Sequence, residues 1–127
     1  MDYAEARFNM VENQVRTNRV TGPLIIEAMS DLPREAFVQK SQQGIAYIDQ
    51  DIEVAPGRFI MEPMILARLL QAAEVLESDV VLDIGCGTGY ASAVLSRIAN
   101  TVVALECDPT LAAQATETLN SLEIDTV

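Results

Sequence analysis

The sequence predicts an α/β protein: a mostly helical amino-terminal part, then the opening of a parallel sheet. Three observations carry that reading. The run Val80-Val81-Leu82-Asp83-Ile84 is apolar and β-branched, with one acid near its end. Three glycines at alternate positions, Gly85, Gly87 and Gly89, follow at once. A small-residue helical pattern then leads to a second apolar run, Thr101 to Leu105, closed by Glu106. Strand, glycine loop, helix, strand, acid is a β-α-β unit that builds a nucleoside pocket at the carboxyl end of its sheet.

The elements follow in order. Residues 3–20 read as helix, with Phe8, Val11 and Val15 on one face. Thr21-Gly22-Pro23 breaks that pattern and starts a second helix, Leu24 to Ser30, which Pro33 ends. Residues 34–60 are mixed, with a turn at Pro56-Gly57. Pro63 opens a helix to about Glu77, with Ile65, Leu66, Leu69, Leu70, Ala73 and Leu76 as its expected buried stripe. The β-α-β unit fills 79–106. Asp108-Pro109 caps a further helix, Thr110 to about Leu122. Ile124 to Val127 reads as the start of a third strand. The expected division is a helical and mixed subdomain over 1–60 and the first part of a Rossmann-like cofactor-binding domain over 61–127.

Composition bounds the function. A chain of 127 residues, half of them hydrophobic, can bury one core. A net charge of −11 without a basic stripe excludes sequence-independent nucleic-acid binding and makes an anionic membrane surface a poor partner. No apolar run has the length of a membrane span, and the acidic start Met1-Asp2-Tyr3-Ala4-Glu5 lacks a signal core, so a cytoplasmic protein is expected. The two cysteines, Cys86 and Cys107, fall beside the cofactor loop at the ends of the two predicted strands and read as small residues packed near a ligand, not as a disulfide. The chain has no histidine, so imidazole chemistry and most zinc sites are excluded, and no metal is expected.

Spacing selects the cofactor. The loop reads G-x-G-x-G, with Tyr90 where a dinucleotide fingerprint has its third glycine. A P-loop needs a lysine, and the single lysine, Lys40, is far away. With no basic residue near the loop, a triphosphate or pyrophosphate has little to balance it, and Asp83 repels phosphate. Asp83 suits a cation such as a methionine ammonium. Glu106, 21 residues after Gly85, is placed to accept from two ribose hydroxyls. Acid-x-G-x-G-x-G with a second acid closing the next strand resembles the first motif of class I S-adenosylmethionine-dependent methyltransferases. The candidate cofactor residues are Asp83, Ile84, Gly85, Cys86, Gly87, Gly89, Tyr90, Glu106 and Cys107.

The amino-terminal half narrows the family. Met10-Val11-x-x-Gln14, Ala28-Met29, Pro33-Arg34-Glu35-x-Phe37-Val38, Ala46-Tyr47-x-Asp49, then Gly57, Ile60 and Pro63 ahead of a helix occur in one order. That series resembles the protein-L-isoaspartate O-methyltransferase family from Met10 onward. Taken singly, Pro33-Arg34-Glu35 is a helix stop and start, and Phe37 and Tyr47 are core. The resemblance implies a Rossmann-like methyltransferase fold and methyl transfer from S-adenosylmethionine to the α-carboxyl of isoaspartyl residues in a protein or peptide substrate. A carboxylate is ionised at neutral pH, so this chemistry needs no general base.

One departure concerns the acceptor. The family usually reads Thr-Ile-Ser before Gln-Pro or Ala-Pro, with its serine at the active site. This chain reads Phe59-Ile60-Met61-Glu62-Pro63. A thioether cannot donate to a carboxylate, and an inward Glu62 would repel one. No catalytic residue is assigned, since Met61 occupies the serine position. Two classes of function stay open: a methyltransferase for isoaspartate or another acceptor, and a non-catalytic module that keeps the methyl-donor fold. The sequence also stops where a third strand begins. This leaves the edge of Val80–Ile84 open, as in a fragment or a chain whose edge another copy covers. Residues 1–127 alone are therefore expected to associate as a dimer, to bind the cofactor weakly and to transfer no methyl group.

Overall fold

The computed structural model describes all residues, 1–127. In chain order the elements are α1 (Tyr3–Met10), α2 (Pro23–Asp31), β1 (Ile52–Ala55), β2 (Arg58–Ile60), α3 (Pro63–Ala73), β3 (Val80–Ile84), α4 (Tyr90–Ser96), β4 (Thr101–Leu105) and α5 (Pro109–Ser121). β1 and β2 form an antiparallel hairpin turned at Pro56-Gly57, where Gly57 has φ +71. β3 and β4 pair in parallel, Val80 opposite Thr101 through Ile84 opposite Leu105. One 26-residue core runs from Met10 through the hairpin to Leu119. No helix is long and apolar enough to cross a membrane.

Several sequence expectations need correction. The first helix is not regular: α1 passes into a π turn at Val11–Val15 and a 3-10 turn at Arg16–Asn18. Phe8 is 64% exposed, and Met10 joins Val11 and Val15 in the core. The wider turn advances less per residue, which returns Val15 to the face of Met10 and leaves Phe8 outside. The third helix stops at Ala73, because Glu74 adopts a left-handed φ of +51. The Asp79 side chain then accepts from the Leu76 N–H at 2.8 Å and fixes the following turn. Its buried residues are Pro63, Leu66, Ala67 and Leu70, whereas Ile65, Leu69, Ala73 and Leu76 face out. Two sides of this helix are apolar, so periodicity alone admits either stripe. Ile124–Val127 forms no strand. It lies beside β4 through one bond, Val102 N–H to Thr126 O at 2.9 Å.

The sheet has one bare side. Val80, Leu82 and Ile84 alternate onto the same face, as do their register partners Val103 and Leu105. All five are exposed, with Ile84 at 75%. A parallel sheet ordinarily has both faces covered.

Arg34 locks the amino-terminal half to the sheet unit. It is 0% exposed. Its Nε donates to Ala46 O at 2.6 Å and its Nη2 to Met61 O at 3.0 Å. The guanidinium lies 4.8 Å over the Tyr90 ring, which meets Phe37 edge-on at 5.4 Å. The Tyr47 hydroxyl accepts from the Arg34 N–H at 3.0 Å and from Arg7 Nε at 2.9 Å, and donates to Glu35. Arg34→Met keeps the stem but strands both carbonyls. It should destabilise the protein by about 2–4 kcal/mol, since each buried group left without a partner costs roughly 1–3 kcal/mol. The urea midpoint measures this, and a wild-type midpoint in Arg34→Met would show that the lock is not structural.

Candidate functional site

The glycine loop leaves the carboxyl end of β3 and returns as α4. Gly85, Gly87 and Gly89 have φ of +74, +60 and +99, a region closed to most side chains. Two N–H groups, Gly85 and Cys86, donate to Leu105 O at 2.7 and 3.0 Å and tie the loop to β4. A Cβ on Gly87 would meet nothing within 4 Å, and one on Gly85 would meet only Arg58 Nη2 at 3.9 Å. The loop therefore presents bare backbone to open space. Gly89 differs: a Cβ there would touch Ala115 and Leu119 of α5 at ordinary contact distance, so its φ of +99 rather than space calls for glycine.

Around this loop the structure collects most of the residues singled out in the sequence. Asp83 accepts from Ser92 Oγ at 2.6 Å, which fixes its carboxylate at the base of the loop. Ile84 is exposed on the bare sheet face and Cys107 is exposed beyond Glu106. Cys86 is half-buried and reduced. Burial first, then Asp83 and Glu106, pushes its thiol above the ordinary value. Tyr90 sits at the bottom, almost wholly in the core, with its hydroxyl unpartnered. A cavity of about 210 Å³ separates the loop from the hairpin and is bordered by Phe59, Met61, Asp83, Gly85, Gly87 and Tyr90.

The acceptor-side segment lies across that cavity. Ile60 is buried, while Phe59 and Met61 are exposed. Met61 reaches the core only through its carbonyl, held by Arg34. The Glu62 N–H donates to Asp51 Oδ1 at 2.8 Å. Desolvation, then Asp49 and Asp51, raises the Glu62 carboxyl above its usual range.

Glu106 is the most constrained group of the site, with its side chain 1% exposed. Its Oε1 accepts from the Gly87 N–H at 2.8 Å and its Oε2 from the Asp108 N–H at 2.9 Å. Arg58 adds a two-pronged ion pair: Nη1 reaches Oε2 at 2.8 Å and Nη2 reaches Oε1. The Arg58 guanidinium, followed by the two backbone donors, holds the Glu106 carboxyl down at about 2. The expectation that no base lies near the loop is thus wrong in space. Arg58 comes from β2, and only the fold of the hairpin over the loop reveals it. Its one sequence signal is a lone base beside the Pro56-Gly57 turn.

The depressed carboxyl fixes a pH dependence. Glu106 contributes stability above the unfolded carboxyl value, about 4.3. That contribution is lost as pH falls through about 2, where the folded group takes its proton. Melting temperature should fall between roughly pH 4.5 and 2, and less steeply in Glu106→Gln. Parallel curves for the two proteins would contradict the assignment.

The comparisons with known proteins agree with this geometry. Residues 6–127 match the family model described as Protein-L-isoaspartate(D-aspartate) O-methyltransferase. The chain is 36% identical over 127 residues to a protein-L-isoaspartate O-methyltransferase of Roseiflexus castenholzii, covering 58% of it. It is 40% identical over 118 residues to protein-L-isoaspartate O-methyltransferase 2 of Pelobacter propionicus, covering 93% of this chain and 52% of that one. It thus spans about half the length of the curated relatives it matches. A solved protein-L-isoaspartate O-methyltransferase superposes with a TM-score of 0.84 at 25% identity, over 95% of this chain and 40% of that one. A putative one from Plasmodium falciparum, in complex with S-adenosyl-L-homocysteine, gives 0.74 at 20% identity, over 99% of this chain and 61% of that one. The fold is therefore the partial Rossmann-like methyltransferase fold expected from the sequence. The chain belongs to the protein-L-isoaspartate(D-aspartate) O-methyltransferase family.

Proposed function

We propose that this chain holds the methyl-donor half of an isoaspartyl O-methyltransferase, with S-adenosylmethionine as cofactor and a protein or peptide bearing isoaspartate as substrate. The observation that supports it most is Glu106, a buried, ionised carboxylate facing a loop that is bare backbone at Gly85 and Gly87. Two ribose hydroxyls need such an acceptor, and bare backbone at Gly85 and Gly87 lets a nucleoside approach. Asp83, fixed by Ser92, is the partner for a ligand ammonium. Ile84, Cys86, Gly89, Tyr90 and Cys107 shape the loop around it. When bound, the cofactor supplies a methyl group on a sulfonium centre. The protein's task is to align an already ionised acceptor with that methyl and to exclude water.

In this reading residues 61–127 carry the donor side, and residues 1–60 set the hairpin and the loop that meets the acceptor. Phe59 and Met61 offer the acceptor no hydrogen-bond donor. Transfer from labelled S-adenosylmethionine to an isoaspartyl peptide, measured on the protein in the longest form its gene encodes, tests the proposal. Labelled methyl ester is expected, with Phe59→Thr/Met61→Ser faster than wild type. Absence of any ester would remove isoaspartate from the assignment.

We also infer that residues 1–127, produced alone, associate through the bare face and open edge of β3. An unpaired apolar edge is a ready template for a second chain. Sedimentation at micromolar concentration should show a dimer or larger species, and Leu82→Lys should shift it toward monomer. A monomer in both cases would overturn the inference.

A further inference from the structure

We propose that Arg58 is a built-in competitor for the ribose site, so that a nucleoside enters only by displacing it from Glu106. The proposal rests on the methyl-donor reading above. An ionised carboxylate has about four lone-pair positions. Glu106 has all four filled: two by Arg58 and one each by the Gly87 and Asp108 N–H groups. Two ribose hydroxyls donating to Glu106 therefore require two positions to be vacated.

The four donors are not equally free to leave. The Gly87 and Asp108 groups are backbone of the loop and of the turn that begins α5, where Asp108 also caps Thr110 and Leu111. Releasing either means remodelling the fold. Arg58 is a long side chain at the end of a three-residue strand, and it is 31% exposed. Glu106 is its sole hydrogen-bonded partner. Its Nη2 lies 3.9 Å from where a Gly85 Cβ would be, over the open side of the loop. The guanidinium thus stands in the space left for the ligand and supplies the two donors that the hydroxyls would supply. Ribose and Arg58 use the same acceptor positions, so their binding is mutually exclusive.

A ligand that must first break this pair binds more weakly by the equilibrium constant for opening it. Removing Arg58 should therefore tighten nucleoside binding while it weakens the empty protein. Binding of adenosine, measured by calorimetry or NMR titration, is the direct probe, because adenosine carries the ribose without the charged amino-acid arm. Arg58→Ala should bind adenosine roughly two- to fivefold more tightly than wild type, the range expected for a partly exposed ion pair. Arg58→Lys keeps the charge without the fork and should fall between. With 2′-deoxyadenosine, which needs one position less, the gain on removing Arg58 should shrink. In wild type the Arg58 Nε–H resonance should move toward that of a free guanidinium as adenosine is added, a readout that survives even if Arg58→Ala does not fold. If wild type binds adenosine, and Arg58→Ala binds no better while the Arg58 resonance stays fixed, the competitor role is wrong and the methyl-donor reading stands. If neither adenosine nor S-adenosylhomocysteine binds wild type or Arg58→Lys at millimolar concentration, both readings fall together.

Discussion

Arg34 is a cation without solvent and without a carboxylate of its own. A buried charge is costly unless hydrogen bonds replace its water. Here the replacement comes from three separate stretches: Ala46 O, Met61 O and the face of Tyr90. Burial draws Arg34 below its ordinary value, while Tyr90 and Tyr47 oppose that shift. Holding this one guanidinium, through its Nε, its Nη2 and its face while Nη1 stays unpartnered, fixes the 3-10 turns, the end of the hairpin and the first residue of α4 relative to one another. The cavity facing the glycine loop exists because those three parts are held at set positions.

The second charged device works on the other side of that cavity. Glu106 is preorganised by backbone donors from the loop and from the start of α5. Its position is thus set by the β-α-β unit and the turn that begins α5. Arg58 belongs to the hairpin and adds to Glu106 from outside that unit. Among the contacts between the two halves of the chain, two carry charge into the site region: a rigid, buried one through Arg34 and a partly exposed one through Arg58. The first holds the architecture, and the second can open without disturbing it.

The β-α-β unit was legible because its signals are local. Glycines at alternate positions, an acid closing each strand and Asp108-Pro109 at a helix start all specify backbone geometry by themselves. The hairpin was visible as a Pro56-Gly57 turn and no more. The two elements that most distinguish the family, Pro33-Arg34-Glu35 and Ala46-Tyr47, read singly as a stop signal and a core aromatic. In the fold they form one hydrogen-bonded network, which no spacing rule reveals. Arg58 was missed for a related reason: it is near Glu106 only through tertiary packing. The stripe of the third helix failed because apolar residues occupy both of its sides, and the choice between them rests with the neighbours. Phe8 failed because a π turn changes the phase of the helix after Met10, and nothing in the pattern marks that turn.

The bare face of β3 and β4 bears on motion as well as on association. Strands packed on one side are held by half the usual contacts, and regions with few buried contacts open first. Amides of Val80–Ile84 should then exchange hydrogen faster than those around Val11, Val15 and Met29, which are enclosed in the core. The glycine loop hangs from the carboxyl end of β3, so it inherits that looseness. Whatever covers Leu82 and Val103 stiffens the loop from the opposite side of the sheet. Order in the glycine loop and cover on the apolar face are thus coupled through β3 itself, whose last residue, Ile84, is exposed on that face and also borders the loop cavity.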